Sequence, residues 1–172
     1  MMFYLRKPTI ADETTFLAYV KEWIDLNEQM VPHSSMVVQP TYAEYLQHVA
    51  TMEDINLLPP SRVPATLWMF CSDEEGIIGM VSIRHFLNDT LRLIGGHIGY
   101  GIRPSKRGNG YAKLMLELAL KKAKEYGIDE VMITCDESNE RSRRTILSCG
   151  GVYHQTVHVD HQVIEQYWIQ NR

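Results

Sequence analysis

The feature that most limits how this chain can fold is a basic turn punctuated by glycines, Arg103-Pro104-Ser105-Lys106-Arg107-Gly108-Asn109-Gly110. Before it, Gly95 to Ile102 reads as a strand closed by Pro104. After it, Tyr111, Leu114, Met115, Leu118 and Ala119 recur at three- and four-residue steps, with lysines late in the repeat and Gly127 as a stop. That spacing predicts a helix from Gly110 to Tyr126. Glycines 108 and 110 allow unusual dihedrals, so successive backbone N–H groups can converge on an anion at the positive end of the helix dipole. Lys106 and Arg107 add charge of the same sign. A nucleotide-hydrolysing loop needs Gly-x-x-x-x-Gly-Lys-Ser/Thr, and a dinucleotide loop needs Gly-x-Gly-x-x-Gly. Gly108-Asn109-Gly110-Tyr111-Ala112-Lys113 meets neither pattern.

The rest of the chain supplies a partner for that strand and helix. Phe3 to Lys7, stopped by Pro8, predicts a short first strand. Asp12 is placed to cap a helix carrying Phe16, Leu17, Val20, Trp23, Ile24 and Leu26, which Pro32 blocks. Thr41 and Glu44 form a capping-box pattern ahead of the stripe Tyr42, Tyr45, Leu46 and Val49. Pro59, Pro60 and Pro64 make a loop, after which Thr66–Cys71 and Ile77–Arg84 read as a hairpin about Asp73-Glu74-Glu75-Gly76. Val131–Cys135 is a short buried strand, and Asn139 opens a helix that Gly150-Gly151 ends. Val152–Val159 and Gln162–Ile169 predict a closing hairpin. The order is α/β, in the α+β sense, and neither a repeat nor a linker divides it, so one domain over residues 1–172 is expected.

Composition narrows the partners. A net charge of -4 and a pI near 6.0 give no reason to expect nucleic acid. Cys71, Cys135 and Cys149 are odd in number and widely spaced, which suggests neither a disulfide framework nor a metal site and fits a cytoplasmic location. Cys135, in a buried strand, reads as packing rather than as a nucleophile. Apolar runs fall short of the ~20 residues of a membrane span, so no membrane partner is expected.

Arg107-Gly108-Asn109-Gly110-Tyr111-Ala112 resembles the pyrophosphate loop, Arg/Gln-x-x-Gly-x-Gly/Ala, of the GNAT (GCN5-related N-acetyltransferase) superfamily. Asn139 stands where that superfamily often has an asparagine near the pantetheine arm, and Cys149-Gly150-Gly151 resembles the Leu-Gly-Phe ending the same helix. The stretches Ile83-Arg84-His85 and Gly95-Gly96-His97-Ile98-Gly99-Tyr100 are similar to an uncharacterised bacterial group within it. The resemblance implies a GNAT fold, a mixed central sheet of about seven strands splayed between the fourth and fifth, flanked by about four helices. It implies acetyl-CoA as cosubstrate and no metal. The pantetheine arm would pair with the edge at Tyr100, Gly101, Ile102 and Arg103, and the pyrophosphate would rest on the N–H groups of Arg107 to Ala112. Asn139 would touch the arm, cap its helix, or do both. The arginines of Glu140-Arg141-Ser142-Arg143-Arg144 would face solvent or meet the 3'-phosphate.

The implied reaction is direct attack of a primary amine, on a small molecule or peptide, upon the thioester. The superfamily often uses a glutamate on the fourth strand as base; here His97 takes that place, either as base or as a histidine satisfied within the sheet. The superfamily's usual acid is a tyrosine at the position of Ile146, so either another donor such as Tyr153 protonates the thiolate, or the proton comes from water or the attacking ammonium. Arg84, His85 and Asn88 are expected near the acceptor, Arg84 as a clamp for a carboxylate. A homodimer is common among similar proteins. The alternative to an enzyme is a degenerate module that senses CoA or an acyl-CoA without turnover.

Overall fold

Nearly every residue of the first hairpin is buried, because its side chains divide between two layers, one on each face. Leu67, Met69 and Cys71 face one side, and Phe70 faces the other. The computed structural model describes Met1–Arg172. In chain order it contains β1 Phe3–Arg6, α1 Glu13–Asp25, α2 Tyr42–Thr51, β2 Ala65–Ser72, β3 Gly76–Arg84, α3 Asp89–Leu93 and β4 Ile98–Ile102. There follow α4 Tyr111–Glu125, β5 Glu130–Asp136, α5 Glu140–Ser148, β6 Val152–Val159 and β7 Gln162–Gln170. The strands form two antiparallel sheets, ordered β1-β2-β3-β4 and β5-β7-β6. One core lies between the sheets and α4, built on Phe70, Ile83, Met115, Leu116 and Ile133. On the opposite face, Phe16, Tyr19 and Trp23 of α1 and Tyr42 and Tyr45 of α2 pack on β2 and β3.

The expected splayed sheet appears as two sheets that touch at one point. Gly96 bridges Ile133, the His97 N–H donates to the Met132 carbonyl at 2.8 Å, and the Met132 N–H donates to His97 Nδ1 at 2.9 Å. Beyond that junction β4 and β5 share no ladder. The strand expected from Gly95 begins at Ile98, because Gly95 and Gly96 hold φ of 109° and 61° and leave the extended region. Helix α3 has one turn only, too short to show a period in sequence, and the Asn88 side chain caps it by accepting from the Leu91 N–H at 3.0 Å.

The entry to α1 differs from expectation. Thr41 and Glu44 do form their capping box on α2, but the Asp12 carboxylate turns backward from α1. It accepts from the Thr9 N–H at 2.8 Å and from both Arg6 Nη atoms at 2.6 and 2.7 Å, tying β1 to the helix. The Arg6 hydrogen bonds, set against burial, lower the Asp12 pKa from 3.8 to about 2. A carboxylate lowered in the folded state stabilises above its unfolded pKa and loses that effect as pH falls toward its folded one. Stability should therefore fall by roughly 2 kcal/mol between pH 4 and 2, and Asp12→Asn should remove that step from urea unfolding curves. A variant with the same acid profile as the parent would show that the pair contributes nothing.

Candidate active site

The turn after β4 is held from α1. The Glu22 carboxylate accepts from Arg103 Nε and from the Ser105 N–H at 2.6 Å. Burial pushes the Glu22 pKa up, but these hydrogen bonds outweigh it and the net shift is downward. Arg107 pairs with Glu28 at 2.7 Å and lies over the Trp23 ring at 4.9 Å, while Lys106 pairs with Glu75. The sequence reading of Lys106 and Arg107 as added positive charge is corrected here: Glu75 in the turn between β2 and β3 compensates Lys106, and Glu28 in the loop after α1 compensates Arg107. What remains for an anion is the backbone. Gly108 and Gly110 hold φ of 83° and 77°, which L side chains seldom adopt. The N–H groups of Gly108 through Lys113 find no acceptor within the chain. The Asn109 amide donates to the Lys106 and Arg107 carbonyls and fixes the turn from inside. A convergent set of free N–H groups at the start of the 15-residue α4 fits a pyrophosphate.

The gap between β4 and β5 is the second half of the site. In an antiparallel pair both polar groups of alternate residues point to the same neighbour. Arg103 N–H donates to Ile78 and the His97 carbonyl accepts from Arg84, both on β3. The polar groups of Tyr100 therefore face the gap, together with the Ile102 N–H. The expected pairing edge is narrower than Tyr100 to Arg103: Arg103 and Gly101 face β3, and the Ile102 carbonyl already accepts from Arg107 Nε at 3.1 Å. A cavity of about 220 Å³ occupies the gap. Its walls are Val31, Pro32 and His33 from the loop between α1 and α2, Arg84, Gly99, Tyr100, Thr134, Cys135, and Asn139 and Ser142 at the start of α5. None of its lining residues is acidic. A larger groove of about 670 Å³ beside the turn is lined mostly by charged side chains, among them Glu22, Glu28, Arg107 and Arg141, and is open to solvent away from the strand junction.

Several expected site residues lie elsewhere. His97 is only 7% exposed, does not line the cavity, and uses Nδ1 to hold the Met132 amide. Burial, with lesser contributions from Arg92 and Arg84, lowers its pKa to about 4. Of the two roles open to it, the geometry favours joining the sheets. Tyr153 sits on β6, two strands from the gap, exposed and bonded to the Thr156 hydroxyl at 2.8 Å, so it cannot serve as proton donor. His85 stacks on Tyr126 and bonds the Thr66 hydroxyl, and Asn88 caps α3 and donates to the Ser61 carbonyl. Both are corrected from acceptor contacts to structural contacts. Ile146 is fully buried in the core. Cys135 also packs, and burial pushes its thiol up to about 11.

Three expected residues do meet at the cavity: Tyr100, Asn139 and Arg84. Asn139 Oδ1 accepts from the Ser142 N–H at 3.1 Å, so it caps α5 and borders the gap at once. The Tyr100 hydroxyl reaches Ser142 Oγ at 3.0 Å, and burial pushes its pKa up to about 12. His33 and Ser142 escaped the sequence reading, since a loop histidine and a helix serine carry no periodic signal.

The profile of the acetyltransferase (GNAT) domain family matches residues 3–152. The chain belongs to that family. It is accordingly an acyltransferase whose donor is acetyl-CoA. No curated protein sequence matches it. Among solved structures it is similar to a chimera of the spermidine N-acetyltransferase SpeG from Vibrio cholerae and hSSAT. The two share 16% identity over 99% of this chain and 96% of the other, with a TM-score of 0.66. The Salmonella typhimurium acetyl transferase that modifies the N-terminal serine of ribosomal protein L7/L12 aligns at 15% identity, covering 99% and 95%, with a TM-score of 0.69. The structure of yncA from Salmonella typhimurium with its cofactor acetyl-CoA aligns at 13%, covering 99% and 94%, with a TM-score of 0.66. At these identities the likeness establishes the fold.

The His97 geometry makes a pH prediction. A histidine whose pKa falls on folding stabilises the native state above about pH 6.5, and that contribution is lost as pH falls to about 4. The GNAT domain should lose roughly 3 kcal/mol over that interval. His97→Gln should flatten the interval while lowering stability at pH 8, where a Met132 amide with a poorer acceptor costs about 1–3 kcal/mol. An unchanged profile in that variant would free the imidazole for another role.

Proposed function

We propose that residues 1–172 act as one N-acetyltransferase domain that moves the acetyl group of acetyl-CoA to a primary amine of a small molecule or peptide. The observation that carries this reading is the adjacency of free N–H groups at Gly108–Lys113 to an open strand edge at Tyr100. The turn holds the pyrophosphate, and the Tyr100 N–H and carbonyl pair with the amides of the pantetheine arm as an added strand would. Bound acetyl-CoA supplies an acetyl group already activated as a thioester. Direct attack by the amine then needs one group to accept the ammonium proton and another to supply a proton to the departing thiolate.

His33 is the imidazole that opens on the cavity, and it takes the ammonium proton in this reading. The Tyr100 phenol, protonated at neutral pH and bonded to Ser142, supplies the other proton from the far side of the gap. Cytoplasmic residence accords with three cysteines held as free thiols. A homodimer accords with the open edge of β6, where Val152 and Tyr153 are exposed.

Calorimetric titration with acetyl-CoA, followed by amines while free thiol is monitored, tests the reading. Binding with thiol release is expected; binding without release from any amine would favour a CoA-sensing module. In Gly108→Val the side chain has space but the dihedral does not suit it, so acetyl-CoA affinity should drop at least about tenfold. Retained affinity would remove the turn from the site.

His33→Ala should lower kcat/KM by about 100-fold at neutral pH. Tyr100→Phe should lower kcat by about tenfold or more, and both variants should leave acetyl-CoA affinity nearly unchanged. Normal turnover in either would strike that residue from the proton path.

A further inference from the structure

Arg84 ends β3 with its guanidinium in the wall of the cavity. Nη1 donates to the Gly95 carbonyl at 2.9 Å and to the Gly96 carbonyl at 3.1 Å, which fixes the plane of the group at the junction of the two sheets. Nε and Nη2 have no acceptor, and Arg84 takes part in no ion pair. The other arginines of the site are different: Arg103 pairs with Glu22 and Arg107 with Glu28. Burial lowers the Arg84 pKa, yet a guanidinium keeps its proton in proteins. The cation is half-buried, with carbonyl partners for Nη1 but no counter-ion, so an anion brought to its open edge gains a charge-assisted pair in a partly desolvated setting.

The surroundings leave room for such an anion. A side-chain carbon at Gly99 would stand 3.6 Å from Nη2 and 3.5 Å from Pro32, so the bare glycine keeps the floor open between the guanidinium and the loop after α1. Gly99 and Tyr100 point to opposite faces of β4. Arg84 and Pro32 thus border one side of the gap, and Tyr100, Ser142 and Asn139 border the other. Since no carboxylate lines the cavity, a second ammonium beside Arg84 meets repulsion without compensation.

We propose that the acceptor is a small amine bearing a carboxylate near its amino group, such as an amino acid, and that Arg84 binds that carboxylate through its free edge. A planar carboxylate matches the guanidinium fork, and Arg84 and His33 line the same cavity of about 220 Å³, which favours a carboxylate and an amine that lie close together. This assignment rests on the transferase reading above. It distinguishes the protein from an enzyme for polyamines, whose several ammonium groups need acidic walls.

The test is initial-rate thiol release at saturating acetyl-CoA with matched pairs: L-amino acids, their α-carboxamides, and spermidine. The carboxylates should exceed the carboxamides in kcat/KM by at least about tenfold, mostly through KM, with spermidine poorer still. Arg84→Gln should bring the acid-to-amide ratio to about one, and Arg84→Lys should raise KM for the acids while keeping part of the preference. Equal rates for acids and amides in the parent protein would overturn the proposal. So would better turnover of spermidine, or equal loss on every acceptor in Arg84→Gln, which would mark a role at the thioester instead. Acetyl-CoA binding with no transfer to any amine also defeats it. Failure to bind acetyl-CoA would instead strike the transferase reading itself. The parent comparison requires no variant, so a folding defect in Arg84→Gln cannot shield the idea.

Discussion

The site depends on a junction that is made firmly and then stops. At Gly96–His97 and Met132–Ile133 the two sheets exchange hydrogen bonds through backbone and imidazole, and the Gly95 N–H adds a bond to the Thr134 hydroxyl at 3.0 Å. A continuous ladder would use up the edge of β4 and leave nothing for an extended ligand. A missing junction would let the sheets part, and the core shared by Ile83, Ile98 and Ile133 would open. Gly96 permits the contact because a side-chain carbon there would stand 2.4 Å from the Met132 carbonyl oxygen. Fold stability and ligand access thus meet at the same few residues.

The glycine turn after β4 is organised by charge compensation. Three cations in its neighbourhood are answered by Glu22, Glu28 and Glu75, so the turn is pinned in place with little net side-chain charge. Attraction for an anion then comes from the fixed dipoles of free N–H groups, which need no rearrangement on binding. Trp23 under Arg107 couples this scaffold to the aromatic layer of α1, and Phe16 and Tyr19 extend the layer toward α2. The apolar face of α1 holds the helix on the sheet, and its polar end holds the turn.

Much of this was legible in the sequence because periodicity and turn chemistry are local. The meander, α4, α5 and the closing hairpin follow from spacing, and the Gly108–Gly110 turn announces itself by composition. Pairings between distant residues were not legible. Nothing local says that Glu22 reaches Ser105, or that the Met132 amide fills the coordination of His97. The same blindness put His85, Asn88 and Tyr153 near the acceptor: sequence proximity to Arg84 suggested the first two, and a missing tyrosine at Ile146 suggested the third. His33 lay outside any pattern, yet the loop between α1 and α2 brings it to the gap.

The two walls of the gap differ in chemistry, and that difference gives the cavity a direction. Around Tyr100, Ser142 and Asn139 the wall offers neutral hydrogen-bonding groups, suited to an amide-bearing arm that carries no charge along its length. Around Arg84 it offers one positive group held by two carbonyls and paired with no carboxylate, in a cavity wall it shares with His33. A ligand entering along the neutral wall gains strand-like hydrogen bonds wherever its amides lie. One entering along the cationic wall gains most when its negative charge sits at a fixed distance from the reacting nitrogen. On the proposed reading, selectivity for the acceptor resides in β3 and the loop after α1, while affinity for the donor resides in β4 and the turn that follows it.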